Sequence, residues 1–182
     1  MLYAVTAFFV TWSGYVTQTS AETQEPLTPS LAIIDVQKIL RDSIAVKSLS
    51  KEIEAQRGKY QGELREKEKK LRNADQELTR QRSVLTAEAF AKKRKELEQQ
   101  VTTVQREIQE RRKNLDQLFT KGMNQVQNEL LKVAKKIAEE RDLDLILSKA
   151  TVVIVKPKFD ITNEALRRLN ANLPDVALTQ SQ

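Results

Sequence analysis

The sequence predicts an α+β chain that is predominantly α, a long antiparallel helical hairpin standing on a small β body. Three observations carry that expectation. From Ser43 to Arg141 there is no proline and only three glycines, Gly58, Gly62 and Gly122, while Pro26, Pro29, Pro157 and Pro174 all lie outside. Charged residues make up 31% of the chain and aromatics 5%, a balance that suits long helices and starves an ordinary globular core. Short apolar runs of β-forming residues flank the helical stretch at both ends.

Residues 1–21 carry no charged side chain. An apolar run, Leu2 to Val10, is followed by small and polar residues ending Thr19-Ser20-Ala21. That is the pattern of a secretory signal peptide cut after Ala21, although no basic residue precedes the apolar run. The competing reading is a membrane anchor, but Thr6, Thr11, Ser13 and Gly14 interrupt the run. Residues 22–30 read as a flexible lead-in rich in Thr, Pro and Glu.

Residues 31–42 read as the first part of the body. Leu31 to Val36 is a strand, and a short helix follows near Gln37, with Asp42 or Ser43 placed to cap the next helix. Residues 43–140 read as the hairpin. Its outgoing stripe is Val46, Leu49, Ile53, Tyr60, Leu64, Leu71, Ala74, Leu78 and Leu85, with Arg57, Lys67 and Gln81 filling gaps in the heptad seam. The tip falls near 83–86, where Thr86 can cap the return helix and Glu88 suits its positive end.

The return stripe is Phe90, Leu97, Val101, Val104, Ile108, Leu115, Phe119, Met123, Val126, Leu130, Val133 and Ile137. Two successive steps of four near Leu115 to Met123 form a stutter. Gly122 lies inside it, either as a possible hinge or as a tolerated surface glycine. About 42 residues outward at ~1.5 Å each give an arm of roughly 60 Å.

Residues 141–171 complete the body with two strands, Leu143 to Ser148 and Thr151 to Val155, and a helix capped by Thr162. Residues 172–182 read as a disordered tail. Leu31, Ile33, Ile34, Val36, Leu143, Leu145, Leu147, Val152, Val153 and Ile154 are the expected body-strand residues. Strands apolar on both faces need cover on both sides, so the body is expected to oligomerise.

There is no Cys and no His, which removes thiol and histidine catalysis, disulfides and Cys/His metal sites. No phosphate-binding glycine loop is present, and the carboxylates sit among Lys and Arg on helical faces. An enzyme, a cofactor and a metal are therefore not expected. The net charge is +6, and residues 43–140 alone carry 23 Lys/Arg against 16 Asp/Glu. The positive field belongs to the arms and points to polyanions, anionic lipid or acidic polypeptide segments as partners.

The ends of the mature chain resemble the Skp/OmpH family of periplasmic chaperones. Leu31-Ala32-Ile33-Ile34-Asp35-Val36-Gln37-Lys38-Ile39-Leu40 is similar to the family's opening strand and short helix, and Leu143-Asp144-Leu145-Ile146-Leu147 to its later strand. Lys156-Pro157-Lys158-Phe159-Asp160-Ile161-Thr162 resembles the family's approach to its last helix. The resemblance covers about residues 31–171. It implies a homotrimer whose strands form a small β-barrel, with three hairpins projecting as tentacles around a cavity. It implies an ATP-independent holdase of the periplasm that keeps unfolded outer-membrane β-barrel proteins from aggregating.

Arg80, Arg82, Lys92, Lys93, Arg94 and Lys95 cluster at the tip, opposed only by Glu88. They are candidates for contact with client, anionic lipid or lipopolysaccharide; the plainer reading is a solvated helix end. Arg111-Arg112-Lys113, beside Glu107, Glu110 and Asp116, reads as a solvated face. The alternatives to a holdase are a tethering coiled coil of the cell envelope and a basic polyanion-binding coiled coil. No nucleic-acid motif accompanies the charge, so a nucleic-acid partner is not expected.

Overall fold

The computed structural model describes residues 28–176 of the 182. The expected signal peptide, residues 1–21, lies outside the described residues, as do residues 22–27 and 177–182.

Strand β1 (Leu31–Ile34) opens the base, with Ala32, Ile33 and Ile34 buried. Asp35 ends it. Its carboxylate accepts from the Lys38 backbone N–H at 2.8 Å, so helix α1 (Val36–Asp42) starts at once. Val36 therefore begins a helix and does not belong to the strand, contrary to the sequence expectation.

Ser43 breaks the helix for one residue at φ −57°, ψ 134°, and its hydroxyl accepts from the Val46 N–H at 3.3 Å to cap α2 (Ile44–Gln81). Residues 82–86 turn the chain. The Thr86 hydroxyl then accepts from the Ala89 N–H at 3.2 Å and caps α3 (Ala87–Arg141). At ~1.5 Å per residue α2 is about 57 Å long and α3 about 82 Å, so α3 runs further into the base than α2 does. It ends at Asp142, which adopts a left-handed φ of 51°.

Strand β2 (Leu145–Ser148) pairs with β1 in parallel, Leu31 opposite Leu145 and Ile34 opposite Ser148. A parallel pair needs a long crossover, and the whole hairpin is that crossover. On the other edge of β1, Asp160 bridges Ile33, and the Ile161 N–H donates to the Ile33 carbonyl at 2.9 Å. Helix α4 (Thr162–Asn172) then lies across α1 and the lower part of α3. The base core gathers Ala32, Ile34, Ile39, Ala45, Val126, Leu130, Val133, Ile137, Ile161, Ala165 and Leu169. A second cluster at the root of the arm holds Leu49, Ile53, Leu115 and Leu118.

Several further expectations are corrected. The segment Thr151 to Val155 is not a strand within the single chain. Residues Lys149–Thr151 and Pro157–Phe159 form short 3-10 turns, and between them Val153 and Ile154 are 98% and 89% exposed. The reason is local. Ser148 turns the chain away through its carbonyl, which accepts from the Thr151 hydroxyl at 2.8 Å. Both edges of β1 are already taken, and Val152, Val153 and Ile154 do not pair with the free edge of β2. Leu143, likewise, precedes β2 and packs beside the core instead.

Thr162 does not cap α4 with its side chain. Its hydroxyl accepts from the Asp35 N–H at 2.9 Å, tying the two ends of the base, and Asp160 takes the capping role by accepting from the Thr162 N–H at 2.9 Å. Gly122 is not a surface glycine. It is buried within an unbroken α3 and faces Leu49. The seam there runs through Leu115, Leu118, Gly122 and Val126, leaving Phe119 39% exposed. The tail, finally, is ordered in its first part, for Val176 is 4% exposed and belongs to the base core.

Candidate functional site

The arm changes character along its length. Below Tyr60 it is held by buried apolar side chains. Above it, Leu64, Leu71, Leu97, Val104 and Ile108 are only half-buried and Val101 is 37% exposed; on α2 only Leu78 is buried. Polar ties take over there.

Arg111 lies at the centre of those ties. Its guanidinium reaches Glu63 on α2 and Glu107 on its own helix, the latter at 2.6 Å, and it stands 4.5 Å from the centroid of the Tyr60 ring. Lys67 on α2 pairs with Glu107. The Lys67 gap in the seam is thus filled by a cross-hairpin ion pair. The hydrogen bond from Arg111 holds the Glu63 carboxyl below its ordinary range, and Lys67 followed by Arg111 does the same for Glu107. Glu63 in turn raises the Arg111 pKa. A cavity of about 400 Å³ opens beside this network, floored by Leu64, Val104 and Ile108.

At the tip, all six predicted basic residues are exposed. Arg80 lies 3.9 Å from Glu77 and Arg94 3.0 Å from Glu98, both weak pairs on the helix surface. Arg82 sits 5.8 Å above the Phe90 ring, and the Lys93 ammonium donates to the Gln81 side chain at 2.7 Å across the turn. Lys92 and Lys95 have no ion pair among the described residues. Val84, at the turn, is 78% exposed. The turn therefore brings an apolar point and several incompletely neutralised cations to the far end of the arm.

At the base, Lys149 and Asp160 pair at 2.9 Å. Burial alone would raise the Asp160 pKa, but hydrogen bonds from Thr162 and Lys149 outweigh it and hold the carboxyl down. Arg168 joins Glu140 on α3 to Glu164 on α4, 2.6 Å from each. These carboxylates are fully used in structural pairs. Among the described residues no group of acidic side chains is placed to hold a metal, and no helix is long and apolar enough to cross a membrane.

Residues 30–169 match the family of outer membrane proteins described as OmpH-like. The chain belongs to that family. Its fold is similar to the crystal structure of a candidate outer membrane chaperone (OmpH-like) from Caulobacter crescentus, with a TM-score of 0.78 at 18% identity. That likeness covers 87% of this chain and 94% of the other. No curated protein sequence matches it.

Within this OmpH-like chain the structure brings Leu31, Ile33, Ile34, Leu145 and Leu147 into one sheet. It leaves Val152, Val153 and Ile154 outside it. The Arg111 network was missed by reading Arg111-Arg112-Lys113 as a solvated face. Glu107 and Arg111 are four apart, and Lys67 interrupts an apolar seam. Together those spacings could have pointed to an ionic crossing between the helices.

Proposed function

We propose that this OmpH-like chain is an ATP-independent holdase chaperone of the periplasm, acting as a homotrimer that shelters unfolded outer-membrane β-barrel proteins between its arms. The observation that carries the assembly is the unfinished base. One edge of β2 is bare, and Val153 and Ile154 directly after it are almost wholly exposed. A two-stranded sheet with such an edge is marginal alone and is completed by strands from other copies, which three chains do by closing a small barrel. The arms suit the task. Their outer seam is thin, their net charge is positive and their contacts are spread out, so many weak encounters replace one pocket.

The tip residues Arg80, Arg82, Lys92, Lys93, Arg94 and Lys95 add a cationic contact for acidic client segments or for anionic lipid and lipopolysaccharide at the membrane surface. The chain performs no chemistry of its own in this role and needs neither nucleotide nor metal. A cleaved signal peptide, residues 1–21, delivers it to the periplasm.

The test is the mass of residues 22–182 by light scattering, alone and after dilution of a urea-denatured outer-membrane β-barrel protein into it. A trimer that forms one discrete soluble complex is the expected result. A monomer or dimer that lets the client aggregate would overturn the proposal and leave the tethering and polyanion-binding readings.

A further inference from the structure

Residues 173–176, which follow α4, stay on the base. Leu173 packs against the base core, and Val176 is buried in it. The Val176 seat lies where the base core meets the root of the arm. A Cβ placed on Gly122 would stand 2.7 and 2.8 Å from the two δ-methyls of Leu49 and 3.2 Å from a γ-methyl of Val176. Gly122 therefore lets α2 and the tail come together against α3. Polar contacts flank this apolar point. The Ser48 hydroxyl donates to Asp175 Oδ1 at 2.8 Å, and the same oxygen accepts from the Val176 N–H at 2.8 Å, which fixes the segment's own bend. The Asn172 amide donates to Glu129 Oε1 at 3.0 Å. The tail thus holds α2 through Ser48 and Leu49, and α3 through Gly122 and Glu129.

We propose that residues 172–176 are a clasp that fixes the angle at which the arm leaves the base. Its hydrogen bonds to the helices are few and exposed, and Val176 is its one buried side chain, so it can release without unfolding β1 or α4. With the clasp shut, α2 and α3 leave the base as one rigid pair. With it open, the Leu49–Gly122 contact loses its third member and the arm root can swing. The arrangement gives a four-to-five-residue segment control over the width of the space beneath the arms. It does not depend on what occupies that space.

The absence of cysteine allows a clean test on the full mature chain. Spin labels at Val84→Cys, on the tip, and Lys158→Cys, on the base, report the arm angle, with labelled chains diluted among unlabelled ones. Val176→Asp should broaden the tip-to-base distance distribution. It should also speed amide exchange in residues 44–53 and 118–126 about tenfold, while exchange in 31–42 and 162–169 stays unchanged. The milder Val176→Ala and the pair Ser48→Ala with Asn172→Ala should shift the same two readouts in the same direction by less, so a failure of the first variant to fold does not end the test. An unchanged distance distribution in the folded variants would overturn the proposal. Equal acceleration throughout the base would overturn it too, because the segment would then be ordinary core.

Discussion

Two glycine-to-alanine substitutions in the same hairpin should have clearly different effects on stability. Each adds one methyl group and each removes the same backbone freedom, worth about 1 kcal/mol in a helix interior. At Gly58 nothing lies within 4 Å of the new Cβ, so Gly58→Ala should stabilise by nearly that full amount. At Gly122 the new Cβ would meet both δ-methyls of Leu49 at 2.7 and 2.8 Å, against a comfortable carbon separation of about 3.5–4.0 Å. Leu49 would have to retreat by roughly 1 Å, yet it is only 1% exposed and is enclosed by Ile53, Leu115 and Leu118. Overpacking of this kind costs about 1–3 kcal/mol. Gly122→Ala should therefore fall between neutral and about 2 kcal/mol less stable than the parent, and about 1–3 kcal/mol below Gly58→Ala. Urea unfolding followed by helical circular dichroism, at one fixed chain concentration, measures the difference. In heat the separation is roughly 2–4 °C per kcal/mol for a chain of this size. Equal stabilisation by both substitutions would refute the reasoning and return Gly122 to the status of a surface glycine.

Acid should loosen the middle of the arm. The folded pKa values of Glu63 and Glu107 are depressed, by Arg111 and by Lys67 respectively. Their contribution is therefore present above the unfolded value of about 4.3 and is lost as pH falls through the folded values. Tyr60 is the sole tyrosine after residue 15, so its fluorescence should change below about pH 4. In Glu107→Gln part of that change should already be present at neutral pH; a flat profile in both proteins contradicts this reading. Neutralising Lys92, Lys93, Arg94 and Lys95 together should lower client capture or lipid binding at low salt while the oligomer's mass stays constant; unaltered binding removes the tip from the mechanism. Asp142 holds a left-handed φ of 51°, which glycine adopts without strain. Asp142→Gly should raise stability by about 0.5–1 kcal/mol in the same urea assay, and a loss of stability would show that the aspartate side chain matters there.

The hairpin was legible because its determinants are local. Absence of proline, a repeating apolar stripe and caps at Ser43 and Thr86 each act within a few residues, and all of them reappear in the structure. The base was legible only in part, because its determinants are not local. Asp35 sits inside a run of strand-forming residues, yet its carboxylate starts a helix and its N–H is fixed by Thr162, 127 residues away. Thr151 to Val155 has strong β propensity, but the turn at Lys149–Thr151 leads it away from the free edge of β2, and both edges of β1 are occupied. The tail misled for a similar reason. Pro174 and Asp175 read as the start of disorder, and only the close approach of Leu49 and Gly122 creates the seat that Val176 fills.

The same contrast organises the tip and the arm. The six tip cations were visible as a cluster because the turn at 82–86 only folds together residues that are near in sequence. The Arg111 network was not, since its two halves lie on different helices 48 residues apart, and single-helix spacing makes Arg111 look solvated. The location of that network has a physical consequence. Apolar burial is non-directional and holds the arm root whatever the medium, whereas half-exposed ion pairs weaken with salt and acid. A hairpin built this way has a firm root and a yielding outer half. That is the distribution expected of an arm that must keep its place on the base while its far end adjusts to whatever it meets.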